Sequence, residues 1–239
     1  MPRVRYSFSS RKSGHLENIK KQRSKIPELI KKLIDISDVL LEVLDARFIQ
    51  DTRNLEIETL IKNLNKKIIY VVNKSDLVDL NETREKLEVL KLRPYVFVSC
   101  KYKKGVRNLK EKIQIEVSRI SKEHARFHVG VIGYPNTGKS SLINLLTGRG
   151  AAKVAPQAGF TKGIQKIKLS SNILLLDSPG IIPLSESSTR KREFAVKHAK
   201  IGAESYNSLK EPEEVVLRLT QQFPGLLEKF YGFDIKGIK

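Results

Sequence analysis

The sequence predicts an α/β protein built on a doubly wound sheet of six strands, with a small α-helical appendage at its C-terminal end. Three observations carry this. Short apolar runs alternate with stretches of helical periodicity, the pattern of strands buried between two layers of helices. A phosphate-loop string stands between one such run and one such stretch, at 133–140. Polar motifs stand at the ends of other runs, where open α/β sheets place their ligand contacts.

The elements follow in order. Residues 1–25 form a basic arm, and Pro27 to Ile36 reads as a helix with proline in its first turn. Strands near 39–45, 67–73 and 94–99 alternate with helices near 55–64, 82–91 and 107–121. A strand at 126–133, a helix at 138–147 and strands at 163–169 and 172–177 complete the sheet. Beyond it, Thr189 to Ala203 and Pro212 to Phe223 read as helices. Phe223-Pro224-Gly225 then breaks the pattern before a short apolar turn at Leu226 to Tyr231. The expected domains are the arm 1–25, an α/β domain 26–186 and a helical C-terminal domain 187–239.

Gly133-Tyr134-Pro135-Asn136-Thr137-Gly138-Lys139-Ser140 is a GxxxxGK[ST] loop between strand and helix. Its backbone N–H groups and the following helix N-terminus favour an anion, which gives Asn136, Thr137, Gly138, Lys139, Ser140 and Ser141 as phosphate contacts. Lys139 is placed to reach the β- and γ-phosphates, and Ser140 to ligate Mg²⁺. The apolar strand 172–177 ends in Asp177-Ser178-Pro179-Gly180, a DxxG string. Asp177 then serves the Mg²⁺ through a water, and the Gly180 N–H serves the γ-phosphate. Thr161, in the basic stretch between these motifs, is the candidate switch threonine that turns toward Mg²⁺.

A guanine-specificity motif, Asn73-Lys74-Ser75-Asp76, ends the run Lys67 to Val72. Asp76 can accept from guanine N1–H and its exocyclic amine, and adenine would leave the carboxylate unpaired. The Lys74 stem can cover the base, and Asn73 can tie the pocket to the phosphate loop. Ser99-Cys100-Lys101, about 25 residues on, fits the motif whose backbone N–H meets guanine O6. Yet Asn73 lies 60 residues before Gly133, the reverse of the order in ordinary GTPases, and no second NKxD follows Ser140. Either the matches are unrelated accidents or this is a P-loop GTPase sheet whose chain is circularly permuted.

Asp45-Ala46-Arg47, NKSD, SCK, the phosphate loop, Thr161 and DSPG, in that order, resemble the circularly permuted GTPases of the YlqF type. The resemblance covers roughly residues 10 to 235 and implies ribosome assembly, with rRNA and a large ribosomal subunit or its precursor as partners. Phe48-Ile49-Gln50 stand where the family often has a proline. Arg47 reads either as a structural or ribosome-facing contact, or as the partner of Asp45 bracing a strand end. Ile181 and Ile182 replace the glutamine that orients water in regulatory GTPases, so hydrolysis without a partner is expected to be slow. Two compensations are open. Asn136 occupies the loop position that holds K⁺ in potassium-activated GTPases, or is an ordinary polar loop residue. His15, in Ser13-Gly14-His15-Leu16, matches a Pro-Gly-His-Met string whose histidine the family uses in catalysis, or is a surface or RNA contact.

Length and composition bound the rest. The 239 residues suffice for one α/β core and an appendage. No apolar run approaches 18 residues and residues 1–15 lack the apolar centre of a signal peptide, so no membrane association and a cytoplasmic location are expected. Cys100, the single cysteine, excludes an intrachain disulfide and reads as a small residue of the guanine loop. The net charge of +19 is uneven: residues 1–32 hold 10 Lys/Arg against 2 acids, and 98–128 hold 9 against 3, whereas 33–97 hold 10 against 12. Such an excess marks a polyanion partner; RNA is expected rather than DNA, bound by a monomer. Two rival functions stay open: a slow or non-hydrolysing GTP-bound RNA interaction protein, and an adenine-specific P-loop kinase or ATPase, which Asp76 opposes.

Overall fold

The computed structural model describes residues 28–120, 126–148, 164–183, 186, 192–203, 211–225 and 229. Six strands form one sheet: β1 (Val39–Asp45), β2 (Lys67–Asn73), β3 (Tyr95–Phe97), β4 (Phe127–Ile132), β5 (Gln165–Lys168) and β6 (Ile173–Asp177). Their order is β3-β2-β1-β4-β6-β5, parallel except for β5, which runs antiparallel to β6 at the edge. The third strand is shorter than expected, because after Val98 the chain leaves the ladder for a tight turn closed by the Ser99–Lys104 bridge.

Burial explains the strands. All seven residues of β1, Val39-Leu-Leu-Glu-Val-Leu-Asp45, are buried, as befits a central parallel strand covered on both faces. Val39, Leu41 and Val43 face one side, with Ile69 and Val71 of β2, under α5 (Val106–Ser118) and α6 (Lys139–Thr147). Leu40 and Leu44 face the other, with Ile68 and Val72, under α1 (28–36), α3 (Leu55–Asn63) and α4 (Leu80–Val89). The period of two in each strand thus feeds both cores.

Polar side chains close the helix ends. Asn54 accepts from the Ile57 N–H at the start of α3, and Asp79 accepts from the Asn81 and Glu82 N–H groups at the start of α4. Lys66 Nζ donates to the carbonyls of Ile34, Asp35 and Ser37, capping the C-terminus of α1. Residues 46–52, which show no periodicity in sequence, fold as a 3₁₀ turn η1 (Ala46–Phe48) and a single helical turn α2 (Ile49–Thr52).

One core residue breaks the apolar pattern. Glu42 is fully buried in β1 beside Tyr70; its Oε1 accepts from the Asn54 N–H at 3.0 Å, and its Oε2 has no partner among the described residues. Burial, reinforced by the charge of Glu58, pushes its carboxyl from 4.5 up to about 8. Between those values the native state keeps a proton that the unfolded chain has lost, so stability falls as pH rises through that window. Glu42→Gln keeps the bond to Asn54 and removes the ionisable group. Chemical denaturation should find it more stable than the parent by roughly 2–4 kcal/mol at pH 8 and close to equal at pH 4.5. Equal gains at both pH values would mean that Glu42 is ionised in the fold.

Strand order positions the site. From β1 the chain moves to β2 and β3 on one side; from β4 the sheet continues to β6 and β5 on the other. The direction of winding therefore reverses between β1 and β4, and the crevice at their C-terminal ends is where such a sheet receives a ligand. β1 ends there in Asp45, β2 in Asn73, β6 in Asp177, and β4 runs into Gly133.

Candidate functional site

The phosphate loop joins β4 to α6, and its shape is set by three residues with positive φ, Gly133 (144°), Asn136 (59°) and Gly138 (98°). A Cβ at 138 would collide with the Asn73 amide, so glycine is required for close approach as well as for its backbone angle. Thr137 is buried and turned inward: its Oγ1 donates to the Tyr134 carbonyl at 3.0 Å. That side chain braces the loop, leaving the Thr137 N–H as its contribution to an anion. Ser140 and Ser141 stand in the first turn of α6. Lys139 is only 7% exposed and donates to the carbonyls of Gly133 (3.0 Å) and Tyr134 (2.6 Å). Burial lowers its amine from 10.5 to about 8, and the nearby Asp177 charge offsets this in part.

The guanine motif meets this loop directly. Asn73 Nδ2 donates to the Thr137 carbonyl at 2.8 Å, and Lys74 Nζ donates to the Asn136 carbonyl at 2.9 Å. Two neighbouring residues at the end of β2 thus hold two neighbouring carbonyls of the loop. Lys74 itself has left-handed backbone (φ 60°) and opens the 3₁₀ turn that carries Asp76. Asp76 Oδ1 accepts from Ser99 Oγ at 2.5 Å, which fixes the carboxylate's rotation. Cys100 N–H donates to Asn73 Oδ1 at 3.3 Å, so the SCK turn and the NKSD turn form one unit. Burial pushes the Cys100 thiol up to about 11, so it stays protonated and unreactive. The Lys101 ammonium is exposed and sits 5.0 Å from the Tyr102 ring centroid.

Arg47 pairs with Asp45 while its side chain stays 38% exposed. The guanidinium is bidentate on the carboxylate, Nε to Oδ1 at 3.0 Å and Nη2 to Oδ2 at 2.7 Å, and lies over the Phe48 ring. It is the brace of a strand end. Burial would raise the Asp45 carboxyl, but hydrogen bonds from Arg47 and Lys74 outweigh it and hold the group below the usual carboxylate range.

DSPG lies against the same loop. Ile181 N–H donates to the Gly133 carbonyl at 3.1 Å, and the Gly180 Cα packs so closely on Pro135 that any Cβ would strike its backbone. Asp177 is buried, its Oδ2 3.4 Å from Ser140 Oγ and its Oδ1 without a partner among the described residues. Burial raises its carboxyl. A hydroxyl and a buried, under-satisfied carboxylate at a phosphate loop are the donor set that fits a hard divalent cation such as Mg²⁺. Thr161 and His15 lie outside the described residues, as does the arm 1–25.

Periodicity missed one set of contacts. A helix of the C-terminal region, α7 (Arg192–Lys200), docks on the phosphate loop itself, as well as following DSPG in sequence. Tyr134 Oη donates to Glu186 Oε1 at 2.9 Å; Lys197 donates to both, and His198 bonds Glu186 Oε2 at 2.9 Å. Asn136 Nδ2 donates to the Gly202 carbonyl, and Lys200 pairs with Asp51 of α2 at 2.5 Å. Ile182 packs with Tyr134, Ile201 and Ala203, while Ile181 is buried with Leu44 and Ile132. The two isoleucines that replace glutamine are therefore apolar for a reason: both are buried or packed against neighbours. The only signal in sequence was apolar character at 181, 182 and 201, where a solvent-facing loop would be polar.

A basic turn borders the guanine unit. Lys101, Tyr102, Lys103 and Lys104 are all exposed, with the Tyr102 ring at 57%, and Lys103 is held in left-handed backbone. Lys103, Lys104 and Lys110 have no acidic partner among the described residues.

Comparison with known proteins follows the same lines. Residues 128–222 match a family described as 50S ribosome-binding GTPase. The chain is 35% identical over 213 residues to a GTP-binding protein of Methanocaldococcus jannaschii, spanning 89% of this chain and 55% of that one. It is 38% identical over 181 residues to nucleolar GTP-binding protein 2 of Saccharomyces cerevisiae, spanning 72% of this chain and 36% of that one. The chain thus covers little more than half of the first relative and about a third of the second. Among solved structures, GNP-bound YlqF from T. maritima superposes with a TM-score of 0.59 at 24% identity, over 88% of this chain and 77% of that one, a likeness of fold.

Proposed function

Because the chain is a circularly permuted P-loop GTPase of the YlqF type, we propose that it hydrolyses GTP to GDP and phosphate, and that the nucleotide state switches its hold on rRNA during assembly of the ribosome, in particular its large subunit. One observation carries this reading. Asn73 and Lys74 grip the Thr137 and Asn136 carbonyls, so motifs in reversed order in sequence form one cleft, with a guanine-type carboxylate at one end and a phosphate loop at the other. The matched family description and the nucleolar relative support the ribosomal direction.

The residues divide the work as follows. Asp76 reads guanine, with Ser99 holding it; the N–H groups of Asn136 to Ser141 and the ammonium of Lys139 take the phosphates. Ser140 and Asp177 would hold Mg²⁺, with Thr161 as the switch threonine that would turn toward it. The chemistry that such an ion would supply is to offset the phosphate charge that builds up during transfer. Gly180 senses the γ-phosphate. Neither Ile181 nor Ile182 can orient water, so turnover without a partner is slow. With its NH₂ group anchored at Gly202, Asn136 keeps only Oδ1 for a K⁺ ion that would offset charge during transfer. His15 is the other source of a polar group. The basic arm and the turn Lys101–Lys104 supply phosphate contacts that give affinity rather than sequence choice.

Single-turnover hydrolysis with and without purified ribosomal subunits tests the proposal. Subunits should accelerate it, and K⁺ should support it better than Na⁺. Equal rates in the two cations remove the K⁺ role alone; hydrolysis that subunits never accelerate favours a structural GTP ligand. Co-sedimentation should be tighter with a non-hydrolysable GTP analogue than with GDP, and should weaken by roughly 0.7–0.9 log units per tenfold rise in salt for each phosphate contact.

A further inference from the structure

Asp45 is 1% exposed, and both of its oxygens are committed. Oδ1 accepts from the Arg47 N–H and Nε, each at 3.0 Å, which caps the 3₁₀ turn that follows β1. Oδ2 accepts from Arg47 Nη2 and from Lys74 Nζ, each at 2.7 Å. Lys74 Nζ is also the donor to the Asn136 carbonyl of the phosphate loop. The two grips on the loop are therefore backed differently. Asn73 is a short amide steadied by the Cys100 N–H. Lys74 is a four-carbon stem whose side chain is 27% exposed, and without a fixed anion its ammonium has one carbonyl to set against bulk water.

We propose that Asp45 is a positioning residue for nucleotide binding: its Oδ2 fixes the Lys74 ammonium, and through it the spacing between the guanine turn and the phosphate loop. The assignment rests on the guanine reading of the NKSD turn. It gives the Asp-Ala-Arg motif a task at the site beyond bracing a strand. Arg47 completes it by filling the carboxylate's remaining acceptor positions, so that two cations share one buried carboxylate in good geometry. Asp76 chooses the base; Asp45 sets how firmly base and phosphates are held together.

The N–H cap uses Oδ1 and the Lys74 link uses Oδ2, while the Arg47 guanidinium touches both, so Asp45→Asn is read beside Lys74→Met, which leaves the Arg47 brace whole. Asp45→Asn keeps a carbonyl oxygen for the Arg47 N–H cap and replaces the charged Oδ2 with an NH₂ group that repels Lys74. Lys74→Met removes the same link from its half-buried end. Fluorescent mant-GDP and mant-GTP binding would be measured for the full chain, for each variant and for the double variant, with thermal unfolding of each without nucleotide. Asp45→Asn should weaken both nucleotides by roughly ten- to a hundredfold, mainly through faster dissociation, with the preference for guanine over xanthine unchanged. The double variant should bind no more weakly than Lys74→Met alone.

Unchanged affinity in Asp45→Asn, or a loss that adds in full to that of Lys74→Met, overturns the proposal. If Asp45→Asn fails to fold, unchanged mant-GDP affinity in Lys74→Met overturns it equally. An original chain that binds mant-GDP without preferring guanine overturns the guanine reading, and the clamp with it. A nucleotide affinity that responds to Asp76 and ignores Asp45 overturns the clamp alone.

Discussion

Replacing Lys139 with methionine is expected to lower GTP turnover by about 10²–10³-fold, while the nucleotide-free protein stays as stable as the parent or becomes more stable. The loss follows from removing the ammonium placed to reach the β- and γ-phosphates. The stability follows from what the ammonium touches. Its two acceptors keep other donors when it goes: the Gly133 carbonyl retains the Ile181 N–H, and the Tyr134 carbonyl retains Thr137 Oγ1. No carbonyl is orphaned, and a buried charge is removed.

The same group sets a pH signature. In the folded protein the amine titrates near 8 rather than 10.5, because burial penalises the charged form. Between those values the unfolded chain binds the extra proton, so nucleotide-free stability rises with pH across the window. Nucleotide binding runs the other way. Phosphates need the charged amine, so above about pH 8 binding must take up a proton, and affinity falls as pH rises. Both slopes should vanish in Lys139→Met. Calorimetric titration from pH 7 to 9.5 reads the second one directly; a flat affinity profile in the parent would mean that Lys139 is fully charged before nucleotide arrives.

Asp76→Asn should weaken GTP binding strongly and shift preference toward xanthine nucleotides. Ser99 Oγ donates to one carboxylate oxygen, so an asparagine keeps its carbonyl there and turns its NH₂ toward the base. That group faces guanine's N1–H and amine, donor against donor. A xanthine carbonyl at the same place supplies an acceptor. A missed buried hydrogen bond of this kind separates ligands by about 10²-fold or more. Competition of GDP and XDP against a fluorescent nucleotide reads it. Unchanged GTP affinity would remove the guanine assignment and the permuted reading with it.

Much of this was legible in the chain. The strand runs are apolar because both faces of the sheet are covered, so periodicity placed β1, β2, β4 and β6 within a residue or so. Motifs placed Gly133–Ser140, Asn73–Asp76 and Asp177–Gly180 at strand ends because that is where backbone N–H groups and side chains converge on a ligand. The third strand was overestimated because Val98 and Ser99 look like strand residues, whereas the bridge to Lys104 turns the chain out of the ladder. Roles within the loop were less legible: Thr137 reads as a phosphate contact, yet its hydroxyl braces the turn.

By itself the sequence determined the kind of sheet, the chemistry of the motifs and the reversed order that marks the permutation. Those depend on local composition and spacing, which a linear string records. Only the tertiary structure decided which partners the charged groups choose. Asp45 takes Arg47 and Lys74, Glu42 stands in an apolar strand, and Glu186 gathers Tyr134, Lys197 and His198 so that α7 lies on the phosphate loop. The physical reason is that a buried charge is settled by whatever the fold brings within about 3 Å of it, and here the partners lie up to 63 residues apart in the chain.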